Sequence, residues 1–214
     1  RPAVCSECSS TKFRRAKLGV TGVAQELERL SRRPVVEVTA TTESLPKAAE
    51  LYVGTEAVLH RVEKADTVAF LDFDQELLAP RYRAGEEAMS LLIQAARVVG
   101  RREKGGRVLI QTRIPQHPVL QAAVNADPGS LARSELEVRR ELRQPPEAHW
   151  AIISGESADE FIQRLGSQES LEIRPASENR WRIRCDDRQE LVGFLKNVDR
   201  PSGRLRIEIN PLRA

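Results

Sequence analysis

The chain has 214 residues, 40% of them hydrophobic and 30% charged, with a formal net charge of +3 and a pI near 8.9. Such a composition fits one large globular domain or two small ones, and its mild basicity permits a polyanionic partner without requiring one. No apolar run approaches the ~20 residues that span a bilayer, the start lacks the apolar segment of a signal peptide, and three cysteines cannot build a disulfide framework, so the cytosol is the expected compartment. The chain opens at Arg1 inside a cysteine motif, so a longer parent with further domains is expected.

Residues 1–20 read as a loop carrying Cys5-x-x-Cys8. "TGVAQELERLSRR" then predicts a helix capped by Thr21, with Val23, Leu27 and Leu30 on one stripe. "PVVEVTA" (34–40) predicts a strand, "ESLPKAAEL" (43–51) a helix weakened by Pro46, and "LYVGTEAVL" (51–59) a strand ending at Gly54-Thr55. "DTVAFLDFD" (66–74) reads as a buried strand with acidic residues at its end. "RAGEEAMSLLIQAARVVGRR" (83–102) is a helix with Met89, Leu92, Ala96 and Val99 on its apolar stripe, and "GRVLIQT" (106–112) is another strand. Strands alternating with helices predict a parallel sheet with crossover helices. Two further helical stretches, "HPVLQAAVNA" and "GSLARSELEVRRELR", lead to a break at Pro145-Pro146.

Beyond that break the expected elements are a strand (149–154), a helix (158–165), two strands ("SLEIRP" and 180–186), a helix (188–198) and a strand (204–210). The order βαββαβ is that of a ferredoxin-like layer of sheet covered by two helices.

Cys5 and Cys8 supply two of the four ligands of a tetrahedral zinc site, or form a pair of free thiols. Cys185 lies mid-strand and reads as a small buried hydrophobe. "KFRRAK" (12–17) is either a solvated turn or a phosphate-contacting edge, and Trp150 and Trp181 read as core more readily than as base-stacking platforms. His60, His117 and His149 lack triad spacing, so none is assigned a catalytic role. Asp72 and Asp74 end a strand where α/β sites gather, without an apparent third metal ligand. "LLIQAARVVGRR" (91–102) has the spacing of the last helicase motif, Gln-x-x-Gly-Arg-x-Gly-Arg, with Arg97 and Val98 in place of its first Gly-Arg. In a helicase that arginine reaches the γ-phosphate, and valine offers neither charge nor donor.

Four segments together resemble the PriA family of primosomal replication-restart proteins, which are superfamily 2 DNA helicases. They are "VCSECSS", "YVGTEAVL", the run from "FLDFDQELLAPRYRAGEEAM" through "IQTRIPQHPVLQAAV", and "ELEVRRELRQPPEAHWAIIS". The resemblance covers residues 1–155 strongly and the tail weakly. It implies an α/β fold: the end of a zinc-binding insertion (1–18), a RecA-like helicase lobe 2 (19–144), and a small α+β ferredoxin-like domain (145–214). Cys5 and Cys8 match the last pair of a family pattern of eight cysteines holding two zinc ions, so this chain would carry one pair of that set.

Three nucleotide-contacting motifs depart from the family pattern. Gly-Thr-Glu reads Gly19-Val20-Thr21. Gly-Thr-Gln reads Gly54-Thr55-Glu56, followed by Leu59-His60-Arg61 in place of Ala-Lys-Gly. The last motif keeps Gln94, Gly100 and Arg101 only. Gly54, Thr55, Gln94 and Arg101 are thus the remnant of a nucleotide site, and three losses in one lobe point to a lobe with no ATP to hold, as in some actinobacterial members. The resemblance implies a protein that binds branched and single-stranded DNA at stalled forks and helps reload the replicative helicase without unwinding DNA itself. Its implied partners are the other primosome proteins, the replicative helicase and single-strand binding protein, in the nucleoid and away from membranes. Phosphate contacts are assigned to Lys12, Arg14, Arg15, Lys17, Arg101, Arg102 and Lys104. The alternative is an active ATP-dependent 3′→5′ helicase, which requires an intact phosphate-binding loop in a preceding lobe.

Overall fold

The computed structural model describes residues 19–46, 48–101 and 105–211. The chain divides into two compact units, one of residues 1–68 and 94–108 and the other of 69–93 and 109–214.

In the first unit, helix α1 (Val20–Ser31) starts at Gly19, whose extended backbone serves as the N-cap. Thr21 is inside the helix, and its hydroxyl donates to the Glu37 carboxylate at 3.0 Å, so the expected cap is displaced by two residues. Of the α1 stripe, Val23 and Leu27 are half-buried, Ala24 is buried and Leu30 is exposed. Strands β1 (Val35–Val38) and β2 (Leu51–Gly54) pair in parallel, with Val38 opposite Gly54. The described residues between them form no helix. Pro46 lacks the N–H a helix needs there, and it also disfavours helical backbone at Leu45. Helix α2 (Ala57–Arg61) follows β2, and Arg61 donates to the Ala40 carbonyl at 2.8 Å.

Strands β3 (Thr67–Phe70) and β4 (Arg107–Ile110) form a second two-stranded sheet. The bonds Arg107 N to Asp66 O (3.0 Å) and Gln111 N to Phe70 O (2.9 Å) hold one offset along both strands, the parallel pattern. The strands of the first half are therefore hydrogen-bonded as two pairs, and β3 has exposed Thr67 and Ala69 on one face and half-buried Val68 and Phe70 on the other, where a buried strand was expected. β3 ends at Phe70 because the backbone turns at Asp72 (φ 59°). Helix α3 (Asp74–Leu77) begins at the last residue of the stretch expected as strand.

Helix α4 (Ala84–Val99) buries Ala88, Met89, Leu92, Ala95, Val98 and Val99. Ala96, expected on that stripe, is exposed. Gly100 stops the helix in a left-handed conformation (φ 72°) that suits glycine, and its N–H donates to Ala96 O at 3.1 Å.

Two cores form within the second unit. One gathers Phe73 and Leu77 with Ala88, Met89 and Leu92 of α4 and residues of helices α5 (Pro118–Val124) and α6 (Pro128–Glu141). Both helices start with proline at a first-turn position and a side-chain cap, His117 for α5 and Asp127 for α6.

The second core belongs to strands β5 (His149–Ser154), β6 (Glu172–Ser177), β7 (Arg180–Cys185) and β8 (Arg206–Ile209). They form an antiparallel sheet in the order β6-β7-β5-β8. Ala151, Ile153, Ile183 and Cys185 face the buried residues of helices α7 (Ala158–Leu165) and α8 (Arg188–Asn197), chiefly Phe161, Leu165, Leu191 and Leu195. Burying a side chain such as Phe161 fully is worth about 1.5–3 kcal/mol, and the inward positions of the two central strands are apolar except His149 at the start of β5.

Candidate functional site

Cys5, Cys8, Lys12, Arg14, Arg15, Lys17, Arg102 and Lys104 lie outside the described residues. The third cysteine, Cys185, is free and buried in the sheet core, where burial pushes its thiol pKa up. It is the packed residue its position predicted and cannot complete a thiolate zinc set. Among the described residues, no three His, Cys, Asp or Glu side chains gather as a metal site.

Gly54 and Thr55 form the turn from β2 into α2. A Cβ on residue 54 would lie 2.1 Å from the Val38 carbonyl oxygen and 2.6 Å from Val58 Cγ2. The glycine is thus required by the close approach of β1 and α2, whether or not a nucleotide is present. Thr55 and Glu56 are exposed, and Glu56 meets His60 at 3.4 Å.

The remaining motif positions lie on the last turns of α4. Gln94 is half-buried, and its Oε1 is buried with no hydrogen-bond partner among the described residues. One turn on, Val98 is only 8% exposed, and its carbonyl accepts from Ala65 N at 3.1 Å. Arg97 and Arg101 are exposed, with no ion-pair partner among the described residues. No hydrogen bond or ion pair among the described residues joins Gly54-Thr55 to Gln94 or Arg101.

In the second unit, the Asp74 carboxylate accepts from the Thr112 hydroxyl at 2.5 Å and from Arg113 N at 3.0 Å. The Thr112 bond foremost holds its pKa below the usual carboxylate range. Asp74 thereby ties α3 to the loop after β4, a structural task. His117 Nδ1 accepts from Val119 N at 3.3 Å as the cap of α5, and burial pushes its pKa down against the opposing charge of Glu135. His149 Nδ1 meets Asn210 Nδ2 at 3.1 Å. Trp150 is buried, and Trp181 Nε1 donates to Asp159 at 2.6 Å.

A joint that the sequence did not announce lies around Arg139 of α6. Its guanidinium is 2.8 Å from Glu86 and 3.6 Å from Glu135, donates to the Tyr82 carbonyl at 3.3 Å, and lies 5.4 Å from the Tyr82 ring centroid. The Tyr82 ring is 5.2 Å from that of Trp150 on β5, and its hydroxyl donates to Pro211 O at 3.0 Å. Arg182 closes the series, 5.1 Å over Trp150. Tyr82 and Arg139 belong to "APRYRAGE" and "RRELRQPP", so two of the segments that carry the family resemblance meet in one packed contact.

No protein-family model matches the chain. Curated relatives do. The chain is 29% identical to the replication restart protein PriA of Bacillus subtilis over 168 residues, covering 72% of the chain and 21% of that protein. It is 25% identical to PriA of Haemophilus influenzae over 219 residues, covering 85% of the chain and 30% of the relative. The corresponding values for PriA of Synechocystis are 29% over 161 residues, 68% and 19%. The matched part of the chain thus spans 19–30% of the length of these relatives. Taken with the ordered segments above, these similarities mean that the chain belongs to the PriA family and corresponds to its C-terminal region.

Proposed function

We propose that this chain is part of a replication-restart protein that binds branched DNA at stalled forks and helps reload the replicative helicase, and that its helicase lobe no longer turns over ATP. Restart activity is the reading the names of the relatives support. The observation that carries the loss of motor function is Val98. It stands at the place of the arginine that would reach the γ-phosphate, and it is packed away from solvent with an apolar side chain. Arg97 beside it is exposed, but it sits one residue out of step with the motif.

In this reading residues 19–144 descend from a RecA-like lobe 2, supported by the parallel strand pairs and by the glycine turn between β2 and α2. Residues 145–214 form a ferredoxin-like domain, supported by the strand order β6-β7-β5-β8 and by two helices on one face. Cys5 and Cys8 would supply two thiolates to a structural zinc, with the other ligands coming from elsewhere in the parent chain. The phosphate contacts assigned to Lys12, Arg14, Arg15, Lys17, Arg101, Arg102 and Lys104 would position DNA without reading its sequence.

A second reading, an active 3′→5′ helicase, is favoured by one feature: Gln94 retains its motif place and leaves Oε1 without a partner among the described residues. Measuring ATP turnover by the intact protein on forked DNA separates the two. Turnover at background supports the non-motor reading, and DNA-stimulated turnover supports the helicase.

A further inference from the structure

We infer that the sheet face opposite α7 and α8 carries a second phosphate-binding surface, built from Arg174 of β6, Arg180 and Arg182 of β7, and Arg206 of β8. The inference rests on the DNA-binding reading above and assigns it residues that reading did not contain.

Strand register places these arginines together. Arg182 is opposite Arg174 on one side and Ile152 on the other, while Arg180 and Arg206 are both opposite Ser154. Opposite residues in a ladder share a face, and alternate residues of one strand do too. The intervening residues Trp181, Ile183 and Cys185 belong to the helix-covered core, so the arginines project from the other side. Arg174, Arg182 and Arg206 are exposed and Arg180 is half-buried.

Two of the four are paired with neighbouring carboxylates, Arg174 with Glu172 at 2.5 Å and Arg206 with Glu208 at 2.9 Å. Arg180 and Arg182 have no carboxylate partner among the described residues. Arg182 is held in place by its contact with Trp150, which lowers the conformational freedom it must lose on meeting an anion. From Arg174 across to Arg206 is three strand spacings, roughly 14 Å. That matches the axial length over which one DNA strand presents about four phosphates at 3.4 Å each.

The chemistry selects the partner class. Among the strand residues of this face the one aromatic, Trp150, is buried beneath Tyr82 and Arg182, so the sheet itself offers no ring for stacking on bases. What remains is a row of guanidinium groups that suits a repeating phosphate backbone and contacts it without reading sequence.

The test is a salt titration of forked-DNA binding by the 214-residue chain, comparing wild type with the triple variant Arg174→Gln, Arg180→Gln, Arg206→Gln. Arg182 is left in place so that Trp150 keeps its contact, and circular dichroism checks the fold. Three lost phosphate contacts lower the slope of log K against log[salt] by about 2.7. Between 50 and 200 mM salt the wild type then loses about 40-fold more affinity than the variant. An unchanged slope in a folded variant overturns this surface and leaves the DNA-binding reading standing. No salt-dependent fork affinity in the wild type overturns both. Polyglutamate bound as tightly as the fork, and released by the same substitutions, would assign the face to an acidic protein and overturn the phosphate reading.

Discussion

Arg139 grips Tyr82 twice, donating to its backbone carbonyl at 3.3 Å and lying 5.4 Å over its ring, although the two residues are 57 positions apart. The guanidinium is 7% exposed and meets two carboxylates that are themselves 36% and 26% exposed. It thus neutralises a half-buried acidic pair and braces the ring that packs against Trp150.

Removing that one cation leaves Glu86 with Arg83 alone among the described residues, 2.7 Å away, and takes from Glu135 the guanidinium 3.6 Å from it. Arg139→Met keeps most of the volume and is expected to lower unfolding stability by about 2 kcal/mol, the water at both glutamates moderating the larger cost of a fully buried pair. Adding Glu86→Gln and Glu135→Gln should restore most of it. Urea denaturation measures both, and a loss below ~0.5 kcal/mol for the single variant would show that the joint contributes little.

Tyr82→Phe removes only the bond to Pro211 O and is expected to cost about 0.5–1.5 kcal/mol, whereas Tyr82→Ala also empties the space beside Trp150 and should cost about 3–5 kcal/mol. Hydrogen exchange at the Asn210 amide, bonded to Trp150 O at 2.7 Å, should quicken in both.

His117 makes the cap of α5 depend on pH. Its Nδ1 must be unprotonated to accept from Val119 N, and burial holds its folded-state pKa below the ordinary histidine value. The contribution is therefore present above about pH 6.5 and is lost as pH falls through the lower folded-state value. His117→Asn offers a capping oxygen that does not titrate, so its stability relative to wild type should rise as pH drops from 7 to 5. A constant difference across that range would remove His117 from the account.

Gly54→Ala tests why the motif glycine is there. A Cβ 2.1 Å from the Val38 carbonyl forces backbone apart, at a cost of about 1–3 kcal/mol, with no nucleotide in the sample. A neutral substitution would mean that the turn relaxes, leaving ligand contact as the reason for glycine.

Where local pattern decides structure, the sequence was readable. The strand at 149–154 and the helix at 158–165 form as expected: the apolar run 150–153 is buried along its whole length, and Phe161 and Leu165, one turn apart, fall on one face against the core. Boundaries were lost where backbone overrides pattern: Gly19 took the cap from Thr21, Pro46 kept 43–46 out of a helix, and Asp72 turned the chain before "DFD" could continue as strand. The Tyr82–Arg139 joint was hidden because nothing in either segment encodes a partner so far along the chain. Val98 departs from the motif in the sequence itself, but its burial against the fold is visible only in the structure.

The central claim is a helicase motif kept in position without its chemistry. ATP hydrolysis by the intact protein, measured with and without saturating forked DNA, tests it most directly. The account predicts no turnover above background while the fork remains bound. DNA-stimulated hydrolysis at a typical enzyme rate of about 10 s⁻¹ would contradict it.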